Sequence, residues 1–271
     1  MPERLLGDLP PTAVVAYGVR ERTRELLRKS FPKRRGRLTI VRSRDGLLGA
    51  LQQTMVDAVV VDLVQPSEDH WAAAALARDF PSIPFFAIAA LRPADLPGIA
   101  KALTQLEFAD CLSEGVDDAV LRELILPATF TARFAMALQG AERRLGLTSD
   151  VQRQAWRLVI AHGGRTVRTE TIARALGLTR EHLSRRFAAD GAPNLKRVID
   201  LVRLLAAAEL AKNPGYDVPD IARVLGFASA SHLSASCQRV IGVKSASLAR
   251  LRPTDLLDRF LKQGRGRSRA S

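Results

Sequence analysis

The sequence predicts an α/β domain built on a doubly wound parallel sheet, followed by an all-α domain holding two helix-turn-helix motifs. Three observations predict it. In the first half, five short apolar runs alternate with helix-patterned stretches. In the second half, one pattern is written twice, 49 residues apart. Charge divides the same way: residues 1–140 hold 17 basic and 17 acidic side chains and residues 141–271 hold 24 and 11, so the whole formal excess of +13 lies in the second half. With 271 residues, 47% of them hydrophobic, the chain is long enough for two cores.

The apolar runs of the first half are Ala13 to Tyr17, Leu38 to Val41, Ala58 to Asp62, Phe85 to Ala89 and about Ala109 to Leu112. Near-continuous apolar strands are those covered on both faces, as in parallel sheets. Helical stretches are expected at Arg20 to Ser30, Asp45 to Thr54, His70 to Asp79, Asp95 to Leu106 and Asp117 to Leu126. Five alternations of this size suit a flavodoxin-like domain. The basic run Arg28 to Arg37 falls between a helix and a strand, where a solvated loop is the usual explanation and an additional DNA or partner contact the other. Next, Phe130, Phe134, Leu138, Ala141 and Leu145 form an apolar stripe at spacings of three or four. It either packs on its own domains or pairs with a second copy. The expected division is 1–126 for the α/β domain, 127–147 for this linker, 148–252 for the helical domain and 253–271 for a last helix and basic tail. The composition of Lys262 to Ser271 predicts disorder, with non-specific phosphate attraction.

The repeated pattern is Ile172 to Leu178 (IARALGL) and Ile221 to Phe227 (IARVLGF). Each copy is followed by a hydroxyl residue, Thr179 or Ser229, and then by a His-Leu-Ser triplet at 182–184 or 232–234. Ile, Ala and Leu at i, i+1 and i+4 bury one stripe of a short helix, the glycine supplies the turn, and the hydroxyl caps a second helix. In the first copy Leu183 and Phe187 then face inward, leaving Glu181, Ser184 and Arg185 outward. A capped helix with an exposed polar face is what enters a major groove. One copy alone reads equally well as an ordinary helical hairpin; two in matching order, coincident with the charge excess, favour DNA. Between them, Asn194 to Lys212 has helical period and stops at Asn213-Pro214-Gly215. Such a helix, roughly 25 to 30 Å long, is comparable with the ~34 Å between successive major-groove faces.

Other classes find little support. Cys111 and Cys237 sit in apolar contexts without metal-type spacing and read as reduced core residues of a cytoplasmic protein. The start of the chain leads into no signal-like stretch, and runs such as Phe85 to Leu91 are too short to span a membrane. His182 and His232 flank buried leucines, which favours a structural role, while His70 and His162 have no partners at ligand spacing. No phosphate loop, metal cluster or nucleophile motif is expected, so no enzyme, catalytic residue, cofactor, metal or membrane partner is predicted.

With these residues in view, Thr169 to Leu251 resembles the DNA-binding domain of the AraC/XylS family of bacterial transcription regulators. The likeness rests on Leu183-Ser184-Arg185-Arg186-Phe187, the connecting helix, the Asp220 to Phe227 signature and the closing Ile241-Gly242-Val243. It covers roughly a third of the chain. It implies sequence-specific binding of double-stranded DNA by a bipartite reader, with Glu181, Ser184 and Arg185 contacting bases and Arg180 nearby. The expected DNA-binding set is Thr179, Arg180, Glu181, Ser184, Arg185, Ser229, Ser231 and Ser234. RNA polymerase and a second copy of the chain stay open as further partners. The second recognition helix departs from the family pattern: Ala230, Ser231, Ser234 and Ala235 are its outward residues, Cys237 its inward one, and Lys244-Ser245 stands where a closing proline is usual.

About residues 11 to 126 resemble a two-component receiver domain, through Val56 to Pro66 as its third strand and Ile83 to Ala90 as its fourth. The resemblance makes Asp62 the phosphoacceptor position. Tyr17-Gly18 stands in place of the acidic pair that binds Mg²⁺, Ala89 in place of the hydroxyl residue and Glu114 in place of the lysine. Asp62 is therefore expected to be a lone carboxylate capping a loop, and the domain regulatory or dimerising without ordinary phosphorylation. A weakly specific DNA-architectural protein and a phosphorylatable response regulator are the alternatives.

Overall fold

A computed structural model describes residues 9–34, 36–90 and 96–267. Met1 to Arg4, Arg35 of the basic run, Asp95 of the expected fourth helix and Arg269 of the tail lie outside these residues. The chain divides into two compact units. One comprises Pro11–Arg133 with Asn213–Tyr216; the other contains Phe134–Lys212 and the residues from Asp217 on.

In the first unit β1 (Thr12–Tyr17), α1 (Glu21–Ser30), β2 (Gly36–Val41), α2 (Arg44–Gln53), β3 (Ala58–Asp62), α3 (Glu68–Ala74), β4 (Phe85–Ala89), α4 (Leu96–Gln105), β5 (Asp110–Ser113) and α5 (Leu121–Ile125) alternate. The five strands are parallel, in the order β2-β1-β3-β4-β5. This is the doubly wound, flavodoxin-like order. The central strands β3 (AVVVD) and β4 (FFAIA) are buried at every position, as strands covered on both faces must be. β2 and β5 are the edges. After β1 the chain turns at Gly18, φ +63°, where a Cβ would come within 2.4 Å of the His70 ring; only glycine fits there.

The second unit is helical: α7 (Ala141–Arg144), α8 (Asp150–Ala161), α9 (Thr169–Ala175), α10 (Arg180–Phe187), α11 (Leu195–Leu210), α12 (Val218–Val224), α13 (Ala230–Ile241) and α14 (Pro253–Arg267), with α6 (Phe130–Ala137) preceding α7 in the chain. α11 is its axis. Eleven of its residues are buried, including Val198, Val202, Leu205 and Leu210, and at 1.5 Å per residue it is about 24 Å long.

One open alternative is narrowed and one expectation corrected here. The stripe from Phe130 to Leu145 belongs to two helices separated at Gly140, φ +84°, and its five apolar residues are all buried within the chain, so it is not presented to a second copy. The tail is not irregular from Lys262: α14 continues through Arg267.

Candidate nucleic-acid interface

Each repeat folds as helix, left-handed glycine, helix. Gly177 and Gly226 both take φ +67°, the conformation that a β-carbon disfavours. The Thr179 hydroxyl accepts from the His182 N–H (3.2 Å) to start α10, and the Ser229 hydroxyl accepts from the His232 N–H (3.1 Å) to start α13. Leu183 and Phe187 of α10 are fully buried. That leaves Arg180, Glu181, His182, Ser184, Arg185 and Arg186 exposed on one short helix. Among the described residues Glu181 and Arg185 form no ion pair with each other, and Arg180 approaches Glu170 only at 3.9 Å. The polar face of α10 is therefore available to a partner.

Two side chains that sequence spacing did not mark, one buried and one half-buried, fix these helices. Gln152 of α8 is completely buried. Its amide donates to the carbonyls of Phe187 (2.9 Å) and Ala189 (3.3 Å) at the end of α10, and its oxygen accepts from the N–H groups of Thr148 and Ser149, both 2.8 Å. Arg203 of α11 has the matching task in the second repeat, donating to the carbonyls of Leu225 (3.0 Å) and Gly226 (3.1 Å) with its guanidinium 3.9 Å over the Phe227 ring. Burial lowers its pKa from the ordinary arginine value. Both ties join residues tens of positions apart, so no local pattern announces them.

The second recognition helix is plainer than the first. Ser231, His232, Ala235, Gln238 and Arg239 of α13 are exposed. Ser234, expected outward, is half-buried, and its hydroxyl lies 2.7 Å from that of Ser245; it is spent on the fold. Arg239 pairs with Asp200 at 3.3 Å. Gln238, two turns beyond Ser231 on the same face, is a polar contact candidate that the sequence reading overlooked. The inward Cys237 is fully buried, and burial pushes its thiol up to about 11. His232 packs edge-on against Phe227, with ring centroids 5.7 Å apart. Beside α10, a cleft of about 310 Å³ is lined by Thr166, Arg168, Thr169, Arg180, Lys196 and Arg203, with the acids Glu170 and Asp200 among them, so its wall carries both signs of charge.

At the carboxyl ends of the strands in the first unit, Asp62 is 2% exposed, and it is not a lone carboxylate. It accepts from the Thr23 hydroxyl (2.6 Å), from the Arg20 guanidinium (3.0 Å) and backbone N–H (3.1 Å), and from the Val64 N–H (3.2 Å). The same guanidinium reaches Glu114 at 2.5 Å. A hydroxyl and a counter-charge are thus both present, supplied by Thr23 and Arg20, and Arg20 bridges Asp62 to Glu114. Burial works to lower the Arg20 pKa, but hydrogen bonds to Glu114 and Asp62 outweigh it and hold it above its ordinary value. These residues do not fit a divalent cation, because the guanidinium already lies against the carboxylate and Tyr17-Gly18 offers no acidic side chain. Among the described residues, no helix is long and apolar enough to cross a membrane.

A family described as a helix-turn-helix domain matches residues 172–250. No curated protein matches the chain. Among solved structures, the signal receiver domain of an HD domain-containing protein from Pseudomonas fluorescens is 23% identical, covering 44% of this chain and 94% of its own, with a TM-score of 0.38. Full-length FixJ from B. japonicum is 16% identical over 89% of this chain and 98% of its own, TM-score 0.38. RcsB from Salmonella enterica, solved bound to a promoter, is 18% identical over 93% of this chain and 100% of its own, TM-score 0.29. This chain thus joins a doubly wound parallel sheet to a C-terminal helix-turn-helix domain.

Proposed function

We propose that this chain is a sequence-specific double-stranded DNA-binding transcription regulator of the AraC type, in which two helix-turn-helix units read adjacent major-groove segments. One observation carries the reading: a capped, clamped α10 presents Arg180, Glu181, Ser184 and Arg185 to solvent, and the unit that holds it has the entire positive excess of the sequence. Arg185 has the fork geometry for guanine and Glu181 can accept from cytosine, each good bidentate contact being worth about 1 to 3 kcal/mol of discrimination. The helix α13, with Ser231, Ala235 and Gln238 outward, serves mainly for docking on the backbone. The first unit acts as a regulatory or dimerising domain without phosphorylation of Asp62, whose oxygens are already occupied by Arg20, Thr23 and Val64. A homodimer and contact with RNA polymerase belong to the same proposal.

Selection of bound sequences from a random duplex pool tests it. A shared motif with most of its information in one half is expected, and Arg185→Ala should flatten that half. A pool enriched without any motif would replace the regulator by the DNA-architectural alternative.

A further inference from the structure

The basic run of the first unit plays no part in this reading. From Arg28 to Arg44 the chain carries eight Lys or Arg and no Asp or Glu, close to half of the 17 cations in residues 1–140. Lys29 closes α1, Lys33 and Arg34 lie on the connection to β2, Arg37 is on β2 itself, and Arg42 and Arg44 follow it into α2. All six are exposed. Among the described residues none of the six forms an ion pair, whereas Arg20, Arg22 and Arg24 at the start of α1 each do. Arg28 stands 4.0 Å from Glu21.

β2 has a hydrogen-bonded neighbour on one side only. A six-residue strand is about 20 Å long, so cations at both ends and on the strand mark out a positive edge. Charge on an edge strand ordinarily prevents pairing with another sheet. Arg37 alone would do that, and the remaining cations add self-repulsion with no Asp or Glu within residues 28–44 to offset it. Six of the eight are arginine, whose planar fork suits phosphate oxygens. The exposed large apolar residues that a membrane surface would use, Val116, Val120, Leu124 and Met136, all lie elsewhere in the sequence. Duplex DNA offers one negative charge per ~1.7 Å of axis, about a dozen over the length of the edge.

We propose that the β2 edge, through Lys29, Lys33, Arg34, Arg37, Arg42 and Arg44, is a second nucleic-acid contact that binds the phosphate backbone of duplex DNA flanking the segments taken by the helix-turn-helix units. It rests on the DNA-binding reading and deepens it.

The test uses the full chain on two duplexes with the same central site, one of ~20 bp, about two helical turns, and one extended to three times that length. Wild type should bind the longer duplex more tightly and with the steeper salt dependence. The variant Lys33→Gln/Arg34→Gln/Arg37→Gln/Arg42→Gln should lose that advantage, its slope on the longer duplex falling by about 0.9 per contact removed, so by 3 to 4 in all. Its slope on the shorter duplex should stay as in wild type. The double variant Lys101→Gln/Arg133→Gln removes two exposed charges from other places in the unit and should leave both slopes alone, while Arg37→Gln/Arg42→Gln should not. Intact binding with unchanged slopes, equal losses in the control pair, or preference for phosphatidylserine vesicles over duplex would overturn the inference alone. Failure of wild type to bind either duplex would overturn the DNA-binding reading, and this inference with it.

Discussion

Arg20 and Asp62 show how a buried carboxylate is satisfied by residues distant from it in sequence. Carboxylate, hydroxyl and guanidinium already satisfy one another at the ends of β1 and β3, which supports the proposed absence of phosphorylation. Acetyl phosphate with Mg²⁺ should leave the intact mass of the protein unchanged, and Asp62→Asn should leave promoter response as it is; a labile adduct at Asp62 would overturn this. Arg20→Met removes the charge partner of a carboxylate that is 2% exposed. Loss of one member of a buried pair costs about 3 to 5 kcal/mol, and the partly exposed Arg20 brings that to about 2 to 3 in urea unfolding. Asp62→Asn, which keeps the Thr23 and Val64 bonds in part, should cost less. The missing acidic pair was legible in Tyr17-Gly18, but the counter-charge was not, because Arg20 meets Asp62 and Glu114 only through the topology of the sheet. Cys237 gives a second test at this scale. Its thiol rises from 9.0 to about 11 in the folded chain, so the unfolded chain loses its proton first as pH rises. Stability from this group is therefore complete below pH 9 and is lost between about 9 and 11. The stability difference between wild type and Cys237→Ala should shrink across that window, and Cys237 should resist alkylation at pH 8 until the chain unfolds.

Among the elements, helix starts and turns were the most legible, since a capping hydroxyl or a glycine after IARxL is a local signal. Thr179 and Ser229 each cap where expected, and Asn194 caps α11 in the same way. The strands were equally plain where burial on both faces makes the run continuous, as in β3 and β4. Misreadings came where a pattern crosses a break. The stripe from Phe130 to Leu145 keeps helical spacing across Gly140, whose left-handed φ ends one helix and begins another. Glycines also separate strain from crowding. Gly177→Ala meets open space at φ +67° and should cost only the left-handed penalty, about 1 to 2 kcal/mol. Gly164→Ala adds a Cβ that would sit 2.1 Å from that of Ala206 at φ +80°, so its loss in urea unfolding should be clearly the larger. Equal costs would mean that α11 yields at Ala206. Gln152→Leu keeps shape but strands the Phe187 and Ala189 carbonyls, a loss of about 1 to 3 kcal/mol, and should loosen the end of α10 in hydrogen exchange before the rest of the unit.

For the molecule as a whole, affinity and specificity should be separable, because they rest on different side chains. The excess of +13 in residues 141–271 supplies attraction to phosphate that is blind to sequence and weakens steeply with salt. On the proposed reading discrimination is concentrated in α10, where Glu181 and Arg185 are exposed and carry no mutual ion pair among the described residues, while α13 offers Ser231, Ala235 and Gln238. The plainer alternative is that Glu181 and Arg185 pair in solvent, which for residues four apart contributes only a few tenths of a kcal/mol and leaves base preference to other residues. Titration of the selected site and of single-base variants, across a salt series, tells these apart. Arg185→Ala should narrow the gap between the selected site and its variants in one half by about tenfold or more, within the 1 to 3 kcal/mol of a bidentate contact, while its salt slope falls by no more than about one unit. Ala235→Ser should change neither quantity, and Gln238→Ala should weaken all sites alike. A preference that survives Arg185→Ala, or one whose information lies under α13, would place base reading on the second helix and leave α10 as the dock.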